Sequence, residues 1–211
     1  MKEDIEDYIN SHISREPAIL GKIERESNLR FVNGRMCSGH IQGRLLKMIV
    51  RMIQPMRVVE LGTFTGYSAL CMAEGLPKGG SIDTIESDDE MEEVILDNLN
   101  SSPYGNKVRL HIGEALKIMD QWGANHFDLA LIDADKREYP DYFRKLLNIV
   151  KPGGFIIADN TLWDGNVINP EKHDRQTQGI RCFNDLAVED PDTEVVILPL
   201  RDGISIIRKR N

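Results

Sequence analysis

Beyond Pro55 the chain alternates between short apolar runs rich in β-forming residues and segments long enough to form helices. Because neighbouring parallel strands need a long crossover, usually a helix, this rhythm predicts an α/β fold with a parallel sheet and helices on both faces. In such sheets ligands bind outside the carboxyl ends of the strands, so we expect functional residues directly after each run. The runs lie near residues 57–61, 81–86, 107–112, 127–133 and 153–158.

The end of the chain carries two further apolar runs that lie much closer together. Thr193 to Leu198 and Ile204 to Arg208 are separated by a short segment that contains Arg201-Asp-Gly203, and runs so close in sequence pair as an antiparallel hairpin. The pattern therefore predicts a mostly parallel seven-stranded sheet with an antiparallel final strand.

Residues 1–54 are predicted to be helical. Apolar residues recur at helical spacing from Ile5 to Ile13 and again from Ile41 to Val50. The segment 33–39 between these stretches contains two glycines and short polar residues, which indicates a loop, and Ser38 is placed to cap the helix that follows. We expect this loop to face a ligand.

The composition predicts one domain spanning residues 1–211, with a helical segment at 1–54 and an α/β core at 55–211. Hydrophobic residues make up 41% of the chain and charged residues 28%, which is enough apolar material for a substantial core. The net charge of −8 argues against extensive non-specific binding to nucleic acid. A small-molecule substrate is therefore expected.

The cysteines and the lack of long apolar segments bear on the cellular compartment. Cys37, Cys71 and Cys182 are odd in number and widely spaced, so they predict reduced thiols in the core or in loops rather than a disulfide framework or a thiolate metal cluster. No segment approaches the roughly 20 apolar residues that a membrane span requires. We expect a soluble cytoplasmic protein that does not bind membranes.

Oxygen-bearing side chains follow two of the predicted strands. Asp133 ends the fourth run, and Asp159 and Asn160 follow the fifth. Carboxylate and amide oxygens without thiol or imidazole neighbours favour Mg²⁺, Mn²⁺ or Ca²⁺. Each residue alone could simply cap a helix, but three together, with Lys136 close by, predict a shared cation site.

The first strand leads into a glycine-interrupted turn, Glu60-Leu-Gly-Thr-Phe-Thr-Gly-Tyr-Ser68. The glycines let a ligand approach the backbone closely, but the turn lacks the GxGxxG pattern and Glu60 would oppose a pyrophosphate, so a cationic ligand fits better. Glu86 ends the second run, where nucleotide-binding sheets place a carboxylate for ribose hydroxyls. Ala115 follows the third run and is placed to border an adenine ring, although a simple turn before a helix explains it equally well.

A positively charged adenosyl ligand with an amino-acid tail would satisfy these residues together. Glu86 would hold the ribose, Glu60 would lie near the ammonium group, and Ser68 with the amides that open the next helix would hold the carboxylate. S-adenosylmethionine has this combination of groups.

With these motifs the chain resembles the class I S-adenosylmethionine-dependent O-methyltransferases, within them the cation-dependent caffeoyl-CoA and catechol O-methyltransferase group. The resemblance covers nearly the whole chain and implies a Rossmann-like methyltransferase fold with extra N-terminal helices. Four motifs in order carry it, namely Glu60–Ser68, Asp133-Ala-Asp-Lys136, Asp159-Asn-Thr-Leu-Trp-Asp-Gly165 and Arg201-Asp-Gly-Ile204.

The resemblance also implies roles for individual residues and a homodimeric assembly. It makes Lys136 the general base, and Asp133, Asp159 and Asn160 the metal ligands. The loop Met36–Ser38 resembles the family's backbone contact to the methionine portion of the cofactor. The residues that would line the cofactor are Ser38, Glu60, Gly62, Ser68, Glu86, Ala115 and Asp133.

The predicted function is divalent-cation-dependent methylation of a hydroxyl on a small catechol-like phenol. Methyl transfer is an in-line displacement, and a cation chelated by two neighbouring hydroxyls would orient the acceptor and promote its ionisation. Trp163 and Tyr139 flank the proposed cation site and would either stack on an aromatic acceptor or pack in the core. Residues 165–182 match no substrate-specific pattern, so the natural acceptor and the position methylated stay open.

Three alternatives remain open at this point. One is a methyltransferase of a hydroxylated tRNA base, which the acidic net charge disfavours. Another is a nucleotide-binding oxidoreductase with the same sheet, disfavoured by the absent GxGxxG and by Glu60. The last is a non-catalytic adenosyl-ligand sensor, in which the base and the metal positions would be expected to be eroded.

Overall fold

Seven strands form one sheet in the order β3-β2-β1-β4-β5-β7-β6 in the computed structural model. The structure describes residues 2–211, and side chains from residue 5 onward. The predicted α/β class and the mostly parallel seven-stranded sheet are confirmed. The strands are β1 (Arg57–Leu61), β2 (Ser81–Glu86), β3 (Val108–Ile112), β4 (Phe127–Ile132), β5 (Val150–Asp159), β6 (Thr193–Leu198) and β7 (Ile204–Lys209).

The order of the strands reverses between β1 and β4, and this reversal opens a crevice at their carboxyl ends. β1 to β5 pair in parallel, with Leu61 opposite Ile85 of β2 on one side and opposite Ile132 of β4 on the other. The residues that directly follow these strands therefore surround one crevice.

The last two strands form the predicted hairpin, and the final strand is antiparallel as expected. β7 lies between β5 and β6 and pairs antiparallel with both, so Ile204 is opposite Asp159 of β5. The hairpin loop at Arg201–Gly203 is thereby held next to the end of β5. Within it, Gly203 adopts φ +90° and donates its N–H to Leu200.

The described residues form eight α-helices, and the first three of them precede the first strand as an N-terminal helical segment. The confirmed N-terminal helices are interrupted at residues 13–17 and 31–38. The helices are α1 (Lys2–His12), α2 (Ala18–Arg30), α3 (Gly39–Ile53), α4 (Tyr67–Gly75), α5 (Glu92–Asn100), α6 (Ala115–Met119), α7 (Tyr139–Ile149) and α8 (Arg175–Glu189). Short 3₁₀ turns lie at Gly34–Met36, Asp89–Met91, Gly105–Lys107, Lys136–Glu138 and Trp163–Ile168.

Apolar cores lie on both faces of the sheet, as predicted. On one face, side chains of α6, α7 and α8 pack against β1, β4 and β5. On the other, α3 and α4 cover the same strands with Leu46, Val50 and Met72. The central strands are therefore buried on both sides, which explains why they are continuous apolar runs rather than alternating ones.

The structure corrects three local predictions. Ser38 occupies the position before α3, but its side chain makes no capping hydrogen bond because its own backbone is already helical, with φ −59° and ψ −30°. β5 begins at Val150 rather than near residue 153, because Val150 pairs with Phe127 before the register shifts ahead of Leu129. Cys182 lies exposed on α8, whereas Cys37 and Cys71 are buried.

The helical prediction for residues 5–13 holds as far as His12, where α1 ends, but the apolar residues of that pattern do not form a core. Ile5 and Tyr8 are 60% and 62% exposed. The apolar face of α1 is therefore directed to solvent in the chain described. None of the described helices is both long and apolar enough to cross a bilayer.

Candidate active site

Gly62 brings the end of β1 against the end of β4. Its φ is +92°, and a β-carbon at this position would lie 2.1 Å from the backbone oxygen of Asp133. Its N–H bonds to the Ile85 carbonyl of β2, and the Asp133 N–H bonds to the Leu61 carbonyl of β1. A residue with a side chain cannot take this position without moving one of the strand ends.

Glu86 is held at the carboxyl end of β2 by three backbone N–H groups. Thr63 and Phe64 of the turn donate to Oε2 at 3.2 and 2.8 Å, and Asp88 donates to Oε1 at 3.0 Å. Since an ionised carboxylate offers about four acceptor positions, one position on Oε1 stays available. Glu86 therefore organises the turn and can still accept a hydrogen bond from a ligand.

Glu60 is a fully buried carboxyl group beneath the turn. The Thr84 hydroxyl donates to its Oε2 at 2.5 Å, and the Thr63 hydroxyl lies 2.6 Å from that of Thr84. Burial raises the pKa of Glu60 to about 8, against the lowering effect of the Ser68 and Thr84 hydroxyls. Its Oε1 has no hydrogen-bond partner among the described residues. An unpaired buried carboxylate oxygen is costly, and a cationic ligand would satisfy it.

Asp133 and Asp159 follow neighbouring positions of β4 and β5, since Ile132 is opposite Ala158. Asp159 is 4% exposed, and its pKa is raised to about 6 by burial and by the nearby Asp133 carboxylate. Two carboxylates that disfavour each other's charge are stabilised by a shared cation. The predicted pair is therefore brought together.

Asn160 completes the predicted set of oxygen ligands. It adopts φ +59°, a conformation that asparagine tolerates better than most residues, and its N–H donates to Asp159 Oδ1 at 2.8 Å. No three His, Cys, Asp or Glu side chains form a metal-binding group among the described residues, because this set has two carboxylates and one amide. All its members are hard oxygen donors, which fits Mg²⁺, Mn²⁺ or Ca²⁺.

Lys136 lies beside the carboxylate pair at the start of a 3₁₀ turn. Its Nζ is 3.0 Å from Oδ1 of Asp133, and only 14% of its side chain is exposed. The ammonium group also lies 5.9 Å from the ring centroid of Trp163 and 5.6 Å from that of Tyr139, within the range of cation–π attraction. The sequence predicts a general base at this position, and the structure holds the ammonium group at the edge of the site.

The two aromatic residues near the site differ in their surroundings. Tyr139 is fully buried, and its hydroxyl donates to the Asp159 carbonyl at 3.0 Å and lies 3.3 Å from the Ile132 carbonyl, so it packs in the core and bridges the ends of β4 and β5. Trp163 is only partly buried and follows Asn160 closely in the chain. Of the two, only Trp163 is available to an acceptor molecule.

The remaining predicted cofactor residues lie around the same crevice. Ser68 is buried in the first turn of α4, next to Glu60. Ala115 begins α6, two residues after Gly113, whose N–H donates to the Glu86 carbonyl. Ser38 is buried at the start of α3, on the side of the crevice that faces the β6–β7 hairpin.

Several residues at the site were not singled out from the sequence. Gln42, on α3, donates to Asp159, and Arg201 in the hairpin contacts Gln42. Arg181 on α8 donates to the carbonyls of Asn166, Val167, Asn169 and Lys172, and so holds the segment after Trp163 against the helix. The motif Arg201–Ile204 marked the hairpin, but nothing in the sequence pattern points to Gln42 or Arg181.

The arrangement combines a backbone turn with an unpaired carboxylate and, next to it, an oxygen-rich site that includes a lysine. A cationic ligand and a divalent cation would fit side by side in this arrangement, with Lys136 next to them as a group that could exchange a proton. These are the requirements for transferring a group from a cationic donor to an ionisable hydroxyl.

Comparison with known proteins agrees with this geometry. Residues 10–210 match the family described as O-methyltransferase. A caffeoyl-CoA O-methyltransferase from Zea mays is 32% identical over 98% of this chain and 83% of its own length. A catechol O-methyltransferase from Niastella koreensis is 35% identical over 75% of this chain and 73% of its own.

Solved structures extend the agreement to the fold. The O-methyltransferase TomG from Streptomyces achromogenes, involved in tomaymycin synthesis and solved in complex with SAM, superposes with a TM-score of 0.91 at 28% identity. The superposition covers 99% of this chain and 96% of that one. With a family match over nearly its whole length, the chain belongs to the O-methyltransferase family, whose group includes the caffeoyl-CoA and catechol enzymes.

Proposed function

We propose that the protein transfers a methyl group from S-adenosylmethionine to a hydroxyl of a small catechol-like phenol, with a divalent cation bound at the acceptor site. The observation that carries the proposal is the placement of Asp133, which belongs both to the crevice under the Gly62 turn and to the carboxylate pair with Asp159. A donor and an acceptor bound at these two places would be neighbours, as an in-line displacement requires.

The cofactor part of the proposal rests on the buried carboxylates and the turn. Glu60 offers an unpaired oxygen to the cationic methionine portion, and Glu86 keeps one acceptor position for the ribose. Gly62 allows close approach to the backbone, while Ser38, Ser68 and Ala115 line the same crevice. The solved relative in complex with SAM has the same fold.

The cation would be held by Asp133, Asp159 and Asn160. A bound dication supplies two effects, since it orients two neighbouring hydroxyls of the acceptor and lowers the pKa of the one that reacts. The placement of Asp159 supports this assignment, because it is buried beside the Asp133 carboxylate and a shared cation would stabilise the two negative charges together.

Lys136 is the proposed general base. In its neutral form, Nζ accepts the proton of the acceptor hydroxyl, whose oxygen then forms a bond to the methyl carbon. S-adenosylmethionine would supply the methyl group and depart as a neutral thioether that keeps the electron pair of the broken carbon–sulfur bond, and the transferred proton would stay on Lys136 as an ammonium group. Asp133, 3.0 Å from Nζ, stabilises that ammonium group.

The acceptor class and the assembly belong to the same proposal. A phenolic ring would lie beside Trp163, and the names of the relatives, caffeoyl-CoA and catechol O-methyltransferase, favour a vicinal diol over a tRNA base. Family membership sets aside the oxidoreductase alternative. We further propose one domain, supported by the single seven-stranded sheet, and a homodimer, supported by the exposed apolar face of α1. We also propose a cytoplasmic location, supported by three unpaired thiols.

Asp159→Ala tests the proposed function. The variant should lose turnover by about a hundredfold or more, because a cation supplies several kcal/mol of stabilisation. Binding of S-adenosylhomocysteine, measured by calorimetry, should persist, because Asp159 is not assigned to the cofactor. Asp185→Ala, at an exposed position of α8, is the control. Wild-type turnover in Asp159→Ala that is indifferent to a chelator would refute the cation assignment.

A further inference from the structure

Asp159 is held from two sides before any ligand binds. Its Oδ2 accepts a hydrogen bond from Nε2 of Gln42 at 2.7 Å, and its Oδ1 accepts one from the Asn160 backbone at 2.8 Å. Gln42 is 1% exposed and lies on α3, 117 residues earlier in the chain. The N-terminal segment thus reaches into the oxygen-rich site and orients one of its carboxylates.

Arg201 and Asp159 together determine which way the Gln42 amide points. Its Nη1 donates to Oε1 of Gln42 at 3.3 Å, so the NH₂ end of that amide is directed to Asp159. The reverse orientation would bring the NH₂ group against the guanidinium and leave the carboxylate facing an amide oxygen. Gln42 is therefore held as a donor to Asp159.

The same guanidinium also fixes the loop before α3. It donates to the backbone oxygens of Arg35 at 3.1 Å and of Cys37 at 3.2 Å, and also to that of Ser38. Arg201 has φ +49° in the tight hairpin between β6 and β7. One side chain thus connects the hairpin, the loop Arg35–Ser38 and, through Gln42, the carboxylate of Asp159.

We propose that Gln42 is a positioning residue for the cation ligand Asp159, and that Arg201 is a brace shared by the cation site and the cofactor loop. The inference rests on the proposed function, because it takes Asp159 as a cation ligand and the loop Met36–Ser38 as a cofactor contact. Residues that orient metal ligands through hydrogen bonds typically change metal affinity about 10- to 100-fold when they are replaced. If Gln42 and Arg201 served only to pack the core, their replacement would lower stability without a selective effect on cation binding.

Replacing Gln42 and replacing Arg201 should have different effects on the affinities for two ligands. Gln42→Met keeps the side-chain length but removes the donor, so it should weaken Mn²⁺ binding about 10- to 100-fold and leave S-adenosylhomocysteine binding unchanged. Arg201→Gln removes the guanidinium group that contacts both Gln42 and the loop Arg35–Ser38, so it should weaken the binding of both ligands. In the double variant the loss of Mn²⁺ affinity should be smaller than the two single losses combined, because Arg201 acts on the cation site through Gln42.

The experiment is calorimetric titration of the full chain with Mn²⁺ and, separately, with S-adenosylhomocysteine. Gln176→Leu, at an exposed position of α8, is the control and should match the wild type. Thermal unfolding shows that each variant is folded. If Gln42→Met does not fold, Arg201→Gln alone tests the shared brace through its loss of both ligands.

The outcomes separate this inference from the function on which it rests. Wild-type Mn²⁺ affinity in Gln42→Met, or an Arg201→Gln variant that loses neither ligand, overturns the inference and leaves the proposed function standing. Failure of the wild-type protein itself to bind Mn²⁺ overturns the cation part of the proposed function, and the inference with it.

Discussion

The buried carboxyl group of Glu60 offers a test in which stability and ligand binding change in opposite directions. Glu60→Gln keeps the size of the side chain and an oxygen that can accept from Thr84, but it removes the ability to ionise. The position lies under the cofactor turn and is fully buried, so any charge there is removed from water. The substitution therefore shows how much the charge lowers the stability of the folded protein and how much it contributes to ligand binding.

The cost follows from the pKa. Burial raises the pKa of Glu60 from 4.5 to about 8 in the folded chain. In the unfolded chain the group ionises near its ordinary value, so between these two pH values the folded state binds more protons and stability falls as pH rises. At about 1.4 kcal/mol per pH unit, the contribution of Glu60 to the free energy of unfolding should be roughly 5 kcal/mol smaller above pH 8 than below pH 4.5.

The assay is urea unfolding of the ligand-free protein at intervals from pH 5 to pH 9. Glu60→Gln should flatten the decline in the free energy of unfolding and be more stable than the wild type at pH 9. The unpaired NH₂ group of glutamine is expected to take back about 1–3 kcal/mol of this gain. Glu93→Gln, at an exposed position of α5, should leave the decline unchanged.

Ligand binding should change in the opposite direction to stability. If Glu60 holds the cationic part of the cofactor, Glu60→Gln should weaken S-adenosylmethionine binding about tenfold or more, since a hydrogen bond to a charged group contributes about 1.5–3 kcal/mol. Equal pH dependence in the variant and the wild type would refute the buried-charge reasoning. Unchanged cofactor affinity would refute the assignment of Glu60 to the ligand.

Two further substitutions test other parts of the site. Gly62→Ala should lower the free energy of unfolding in urea by about 2–5 kcal/mol and abolish cofactor binding. The reason is that the added methyl group would meet the Asp133 carbonyl, at a backbone φ that is positive. Wild-type stability in this variant would contradict the close approach of the two strand ends. Arg181→Gln should raise the KM for the acceptor about tenfold without changing cofactor affinity, since the segment 166–172 loses charged hydrogen bonds. An unchanged KM in steady-state kinetics would show that this segment does not contribute to acceptor binding.

Much of the fold was predictable because local periodicity and connection length decide it. Alternating strand-length and helix-length segments allow little besides a parallel α/β sheet, and the short span around Arg201 allows only a hairpin. The position of β7 between β5 and β6 was not predictable, because either strand of a hairpin can pair with the edge of a sheet. The exposure of Ile5 and Tyr8 was not predictable either, since a helical apolar pattern does not say what covers it.

The candidate site divides in the same way. Residues at the carboxyl ends of strands, such as Glu86, Asp133 and Asp159, could be grouped from the sequence because parallel strand ends meet at one edge. Gln42 could not, because its partner Asp159 lies 117 residues away and only the packing of α3 brings them together. The unpaired oxygen of Glu60 also depends on burial by other elements, and the sequence contains no sign of it.

The most direct test of the central claim is methyl transfer from S-adenosylmethionine to a panel of catechols such as caffeate, with Mg²⁺ and with an excess of chelator. We expect a methylated product that requires the cation and disappears with the chelator. Calorimetry establishes in parallel that the cofactor binds. Product formed equally well in the presence of chelator would contradict the role of the cation, and no product despite bound cofactor would contradict the catechol acceptor.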